Sequence, residues 1–272
     1  MTIEATSTGF DLELILRSID RLAAQQPVAA RLVAAADADE TGAKQLATIL
    51  SGDVALSGRV MKLANSAYFG MRGKVSSLQL AVTVVGFTTV RTMATVALTD
   101  LQDESRLPDD FWTVSTRLAV AAAQLAPRFG ERPADALCLG VLAQLGSALL
   151  YHNDPDGYSI IMASEPSFAG RRKQEASRYG ISAVHLTALA LQTWSFPTAL
   201  ILPLERLDDR TSAGAGLLRA SYEVVSRLSI TDHRPVPIGG LTGGRLREED
   251  LPAVLYDVRN DAEDLRRMLI GE

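Results

Sequence analysis

The sequence predicts an all-α fold. Apolar residues recur at spacings of three and four almost throughout. Capping and stopping residues bracket these stretches. No segment alternates convincingly in the manner of a strand, although Ala81-Val82-Thr83-Val84-Val85 is locally β-prone.

The elements follow in order. Leu12, Ile15, Leu16, Ile19 and Leu22 mark a first amphipathic helix. Pro27 fits the first turn of a second, which Val28, Leu32 and Val33 continue. Thr41 can cap a third helix holding Leu46, Ile49 and Leu50, and Gly52 ends it. Asp53 can cap a fourth, with Leu56, Val60, Met61 and Leu63 on its apolar side. Asn65-Ser66 closes that helix, asparagine being tolerant of the left-handed terminal conformation. After a turn over Gly70–Lys74, Ser76 or Ser77 caps a helix ending at Gly86. Thr88 or Thr89 opens the next.

The polar stretch from Thr99 to Asp110 is the best internal boundary of the first half. Beyond it a helix runs from about Asp109 to Ala126, punctuated by Pro127 and Gly130. Pro133 starts a long apolar helix reaching Leu150, and Asp154-Pro155 opens another. Helices are expected near Phe168–Tyr179, Ser182–Thr193, Pro197–Leu207 and Ala213–Ser229. His233–Gly244, with its prolines and glycines, reads as a flexible linker to a charged helix of about Arg247–Leu269, docked or mobile.

Composition excludes several classes. A chain of 272 residues, 47% hydrophobic, can bury a core without disulfides, and its single cysteine, Cys138, allows none within the chain. On its apolar helix Cys138 is expected to be a small core residue. Three histidines are few for metal binding, and a net charge of −5 argues against direct nucleic-acid contact. Met1–Phe10 lacks the basic start and apolar core of a secretory signal, so a cytoplasmic protein is expected. Ala136–Tyr151 is too short for a membrane span, and Ala183–Leu204 carries polar residues and Pro197, so both read as buried helices. No phosphate-binding glycine motif is present. Arg171-Arg172-Lys173 reads as a solvated helix start.

The strongest local feature is the run from Leu56 to Gly70: a helix, an Asn-Ser stop, then an aromatic pair in a turn. Asn65 and Ser66 can bond exposed backbone groups at two helix ends, with Tyr68 and Phe69 filling the corner. The arrangement is either a specialised helix–helix corner or a polar recognition point.

The stretch from Asp53 through Asn65-Ser66-Ala67 resembles the Asp-Pro-x-Leu…Ala-Asn-Ser-Ala signature of the HDOD family, with Val54 in place of proline. Val75-Ser76-Ser77-Leu78 with Ala81-Val82 and Gly86, then Phe111-Trp112 with Ser115, is similar to further family segments in the same order. So are Leu139-Gly140-Val141-Leu142-Ala143-Gln144-Leu145-Gly146 and Glu175-x-x-x-Tyr179-Gly180-x-x-x-x-His185, then Trp194-x-x-Pro197. The resemblance spans about Phe10 to Leu207. It implies an HD-domain-like multi-helix bundle with an N-terminal helical subdomain: residues 1–105 a first bundle, 106–230 a degenerate HD-like bundle, and 231–272 a linker and C-terminal helix.

Related HD hydrolases hold metal through a first histidine, a His-Asp pair and further ligands. Here those places fall on Val114, Ala143 and Gln144, no histidine stands near Glu205–Leu207, and His185 alone keeps its match. Alanine offers no ligand, and one imidazole cannot build a binuclear site. The resemblance therefore implies a non-catalytic bacterial signalling module without catalytic residues, metal or cofactor. Its partners would be a receiver, a cyclic-di-nucleotide enzyme or another pathway regulator. Candidate recognition residues are Asn65, Ser66, Tyr68, Arg91, Trp112 and His185. Two alternatives stay open: a sensor binding a small phosphorylated ligand such as a cyclic di-nucleotide in the degenerate cavity, and a divergent metal-dependent phosphohydrolase.

Overall fold

The computed structural model describes residues 27–35, 42–99, 101 and 104–270, and the helix expected over Leu12–Leu22 lies outside them. The described residues contain α-helices and short 3-10 turns and no strand. The N-terminal bundle comprises α1 (Pro27–Ala35), α2 (Ala43–Leu50), α3 (Val54–Ala64), α4 (Leu78–Val85) and α5 (Phe87–Leu98). Two caps read from the sequence are in place: Asp53 accepts from the Leu56 amide at 2.9 Å, and Ser77 accepts from the Leu80 amide at 3.2 Å. The β-prone Ala81–Val85 run is helical because Ala81, Val82 and Val85 pack into the core, and tertiary burial outweighs the local preference. Neither Thr88 nor Thr89 opens α5. Gly86, at φ +83°, ends α4 and begins α5 with a 104° bend between them, a backbone conformation that glycine adopts without strain.

The second bundle is built on α6 (Phe111–Phe129), which packs against α7 (Pro133–Leu142), α13 (Gly216–Ser229) and α15 (Leu251–Ile270). The helix does not stop before Pro127 but runs through it to a left-handed Gly130 cap. The long apolar helix expected from Pro133 to Leu150 is broken at Ala143-Gln144, so that α8 (Leu145–Asn153) starts anew. By length and composition Pro133–Asn153 could cross a membrane, yet 78% of its most apolar window is buried inside the fold. Then follow α9 (Pro155–Ser164), α10 (Phe168–Tyr179), α11 (Ala183–Thr193) and α12 (Thr198–Glu205).

The 233–244 segment is not a flexible linker. It contains α14 (Ile238–Thr242), buries Ile238 and Thr242, and is pinned by Glu223, which accepts from the Val236 amide at 2.9 Å. Glu248 accepts from the Ile238 amide at 2.9 Å. The C-terminal helix α15 is docked along α6 and α3, where Arg59 donates to the Leu269 carbonyl at 3.4 Å. Buried side chains from both bundles and α15 form one contiguous cluster. The N-terminal bundle meets the second through α5 against α7 as well as through α15.

Candidate functional site

The break between α7 and α8 sets Ala143 and Gln144, which the sequence resemblance aligned with a His-Asp pair, at a turn between two buried helices. Both residues stay near helical geometry (Gln144 at φ −95°, ψ 0°), so the chain turns without strain. The turn is locked from the side: Thr187 on α11 accepts from the Gly146 amide at 2.8 Å. Gln144 donates through Nε2 to the Tyr222 hydroxyl at 3.1 Å and accepts from the Ser147 hydroxyl at 3.0 Å. The space left beside Ala143, Gln144 and Tyr222 is about 20 Å³, room for about one water. Val114 does not line it. It is buried on α6 and borders a separate cleft beside Asp109 and Arg117.

The donors here do not fit a metal pair. Beside the Ala143 methyl, the doubly bonded Gln144 amide and the buried Tyr222 phenol, pushed up to about 12 by desolvation, two carboxylates line the space, but Asp110 is paired with Arg171 and Glu175 accepts from Tyr158 and Ala183, so no convergent set of free ligands is left. Among the described residues no group of three His, Cys, Asp or Glu could hold an ion.

His185 lies outside this position, on the wall of a larger cleft of about 580 Å³ between α10, α13 and the 233–241 segment. Both its nitrogens are engaged: Nδ1 with the Ser182 hydroxyl at 2.7 Å and Nε2 with the Glu205 carbonyl at 3.2 Å. Val114, Ala143-Gln144 and His185 thus line three different spaces, of which the last two share Phe168, Arg172 and Tyr222.

Nor is Arg171-Arg172-Lys173 merely a solvated helix start. Arg171 pairs with Asp110 at 2.8 Å and donates to the Glu165 carbonyl at 2.9 Å. Arg172 pairs with Asp208 at 2.7 Å and stands 5.7 Å from the Tyr222 ring centroid. Both ion pairs tie α10 to distant segments. Beneath them Glu175 is buried, accepting from the Tyr158 hydroxyl at 2.9 Å and the Ala183 amide at 2.8 Å. Sequence reasoning passed over Tyr222 and Arg219 and gave Glu175 no role beyond its place in a family-like segment, since single polar residues within amphipathic helices carry no local signal of the partners they will meet.

The Asn65 corner is a structural joint. Its amide donates to the carbonyls of Met61 at 3.1 Å and Val75 at 2.9 Å, and its Oδ1 accepts from the Val75 amide at 3.0 Å. The backbone there is at φ −87°, not left-handed, so the side chain and not the backbone conformation makes the stop. The Ser66 hydroxyl is buried and makes no hydrogen bond among the described residues, contrary to the expected backbone contact. Tyr68 reaches the Asp261 carbonyl on α15 at 3.5 Å, so the chain's own C-terminal helix covers the corner. Burial, together with Asp261, Asp264 and Asp257, raises the Tyr68 phenol above its ordinary value. We expect Asn65→Ala to lower stability by about 1–3 kcal/mol, because Val75 loses partners for both backbone groups. Asn65→Asp should lose at least as much, since it sets a carboxylate against two carbonyls. Urea unfolding of the three proteins measures both.

Arg91 and Trp112 cannot meet a partner as expected, because both are buried. Arg91 donates to the carbonyls of Trp194 and Ser195 and lies 4.3 Å over the Phe196 ring, clamping a turn in which Ser195 has φ +55°. Trp112 donates to the Leu101 carbonyl at 3.1 Å and packs edge-on against Phe111. Cys138 is likewise buried, its thiol pushed up to about 11 by desolvation, which leaves it inert as a nucleophile.

Residues 22–209 match the model of the HDOD domain. The chain belongs to the HDOD domain family. This HDOD domain is similar in fold to a candidate phosphohydrolase of Shewanella amazonensis SB2B, at 24% identity and a TM-score of 0.66, with 94% of this chain and 96% of that one covered. It is similar to a candidate signal transduction protein of Marinobacter aquaeolei VT8, at 18% identity and a TM-score of 0.69, covering 90% of this chain and 59% of that one. An HDOD domain protein of unknown function from Geobacter sulfurreducens aligns at 18% identity and a TM-score of 0.60, over 95% and 98% of the two chains. At these identities the likeness concerns the fold. No curated protein matches.

Proposed function

We propose that this HDOD domain is a non-catalytic bacterial signalling module that acts by protein–protein recognition in the cytoplasm. The observation that supports the reading is the small space beside Ala143 and Gln144: Ala143 brings a methyl, and Gln144 is bonded to Tyr222 and Ser147 in about 20 Å³. Hydrolysis of a phosphodiester by HD-type chemistry needs cations to activate water and stabilise the developing charge, and the two carboxylates lining this space, Asp110 and Glu175, are already held by Arg171 and by Tyr158 and Ala183. The same volume excludes a cyclic di-nucleotide from that cavity, since ligand sites run to about 300–1,000 Å³. The partner would be a signalling protein such as a receiver, a cyclic-di-nucleotide enzyme or a pathway regulator, in keeping with the candidate signal-transduction relative.

The test is direct. Protein purified without chelator should contain less than stoichiometric metal and should not hydrolyse bis(p-nitrophenyl) phosphate or cyclic di-nucleotides with added Mg²⁺ or Mn²⁺. Turnover that scales with protein and disappears with chelator would end this reading. A partner found by affinity capture and reproduced with purified components should be lost on charge placement at exposed positions of the first bundle. Val54→Asp is the first choice, because Val54 is 86% exposed and its replacement should leave Tm unchanged.

A further inference from the structure

The cleft beside His185 has an electrostatic character opposite to that of the chain. The whole protein carries −5, yet four cationic side chains, Arg172, Lys173, Arg210 and Arg219, line this one space with two carboxylates, Asp208 and Glu223. Both carboxylates are engaged. Asp208 is held by Arg172, and Glu223 by Arg227, His233 and the Val236 amide. What remains is the charge of Lys173, Arg210 and Arg219.

Arg219 is the unusual member. It is 8% exposed, and its guanidinium donates to three backbone carbonyls, those of Leu241 at 3.0 Å, Asp209 at 2.8 Å and Ser212 at 2.6 Å. These fix its position without neutralising it. Burial and the like charge of Arg210 both act against its protonation, while Asp209 favours it. A fixed, partly desolvated cation beside a second cation is a favourable place for an anion, and low exposure strengthens the attraction. The opposite lining is apolar: Phe168, Leu207, Val236 and Leu241. At about 580 Å³ the cleft has the size of a small-molecule site.

We propose that this cleft binds a small organic phosphate, its anionic end against Lys173, Arg210 and Arg219 and its flat apolar body on Phe168, Leu207 and Val236. The cleft shares Phe168, Arg172 and Tyr222 with the small space beside Gln144 but is far larger, and the proposal does not depend on the protein-recognition reading. Binding would bridge α10, α13 and the 233–241 segment, so the ligand would stiffen the contact between them.

The experiment is a concentration series of phenyl phosphate, AMP and GMP in thermal unfolding, with phenol, adenosine, guanosine and inorganic phosphate as the separated halves. At least one ester should raise Tm with concentration in the manner of mass action, and its halves should not. Calorimetry should give a dissociation constant roughly tenfold or more weaker in the Lys173→Glu/Arg210→Glu protein. Both side chains are exposed, so that variant should melt near the parent temperature without ligand. If it does not, Lys173→Gln/Arg210→Gln replaces it. Flat profiles for all three esters, equal shifts from inorganic phosphate alone, or unchanged affinity in the charge variants would each overturn the proposal.

Discussion

Gly140→Ala is expected to destabilise the protein by about 3 kcal/mol or more, a large share of the roughly 5–15 kcal/mol by which ordinary domains are stable. A Cβ built at Gly140 lies 2.3 Å from the Ala119 Cα and 2.4 Å from its nitrogen. These are backbone atoms of α6, the helix on which α7, α13 and α15 all pack. No rotamer relieves such a contact. Helices α6 and α7 would have to separate, opening the core at Leu118, Ala119 and Leu139, all buried. Gly58 provides the control: it is also helical, but a Cβ there meets nothing within 4 Å. Gly58→Ala should be neutral or slightly stabilising through helix propensity. Denaturant unfolding of the two variants gives the comparison, and a Gly140→Ala loss below 1 kcal/mol would contradict the close crossing.

The same crossing shows what a sequence can and cannot announce. Periodicity and caps located most helices, because Asp53, Ser77 and the Pro133 start act within one turn of themselves. The break at Ala143-Gln144 was hidden, because the apolar run continues unbroken across it and what fixes the turn is Thr187, 41 residues from Gly146. The 233–244 segment looked like a linker for a similar reason. Its proline and glycine content is that of a loop, while the groups that hold it, Glu223 and Glu248, are charged residues whose role appears only once α13 and the chain before α15 converge. Arg91 and Trp112 are buried in the structure, where they hold backbone carbonyls of segments that only the fold brings to them. The basic cleft, by contrast, is assembled from five separate stretches of chain and has no local signature.

The second large effect is expected at Glu175, where two substitutions should part company. The carboxyl is buried, and desolvation raises its pKa despite hydrogen bonds from the Ala183 amide and the Tyr158 hydroxyl and the nearby Arg172 and Arg171 charges. Glu175→Ala removes the acceptor for both donors, leaving a helix-start N–H and a phenol orphaned in the interior beside a new cavity. A loss of about 2–4 kcal/mol is expected, with α10, α11 and α9 loosened together. Glu175→Gln keeps an oxygen for Ala183 and can present its NH2 to the Tyr158 hydroxyl, so it should retain nearly full stability at pH 7. The pH dependence fixes the sign. A carboxyl whose folded pKa lies above the unfolded value contributes stability that is complete below the unfolded pKa and is lost as pH rises through the folded one. The parent should therefore gain on the Gln variant as pH falls from neutral toward about 4, the ordinary glutamate range. Taking the difference between the two proteins cancels the other titrating groups. A stability difference that stays constant from pH 7 to 4 would mean that Glu175 titrates as it does in water, and the buried joint between α9, α10 and α11 would have to be reconsidered.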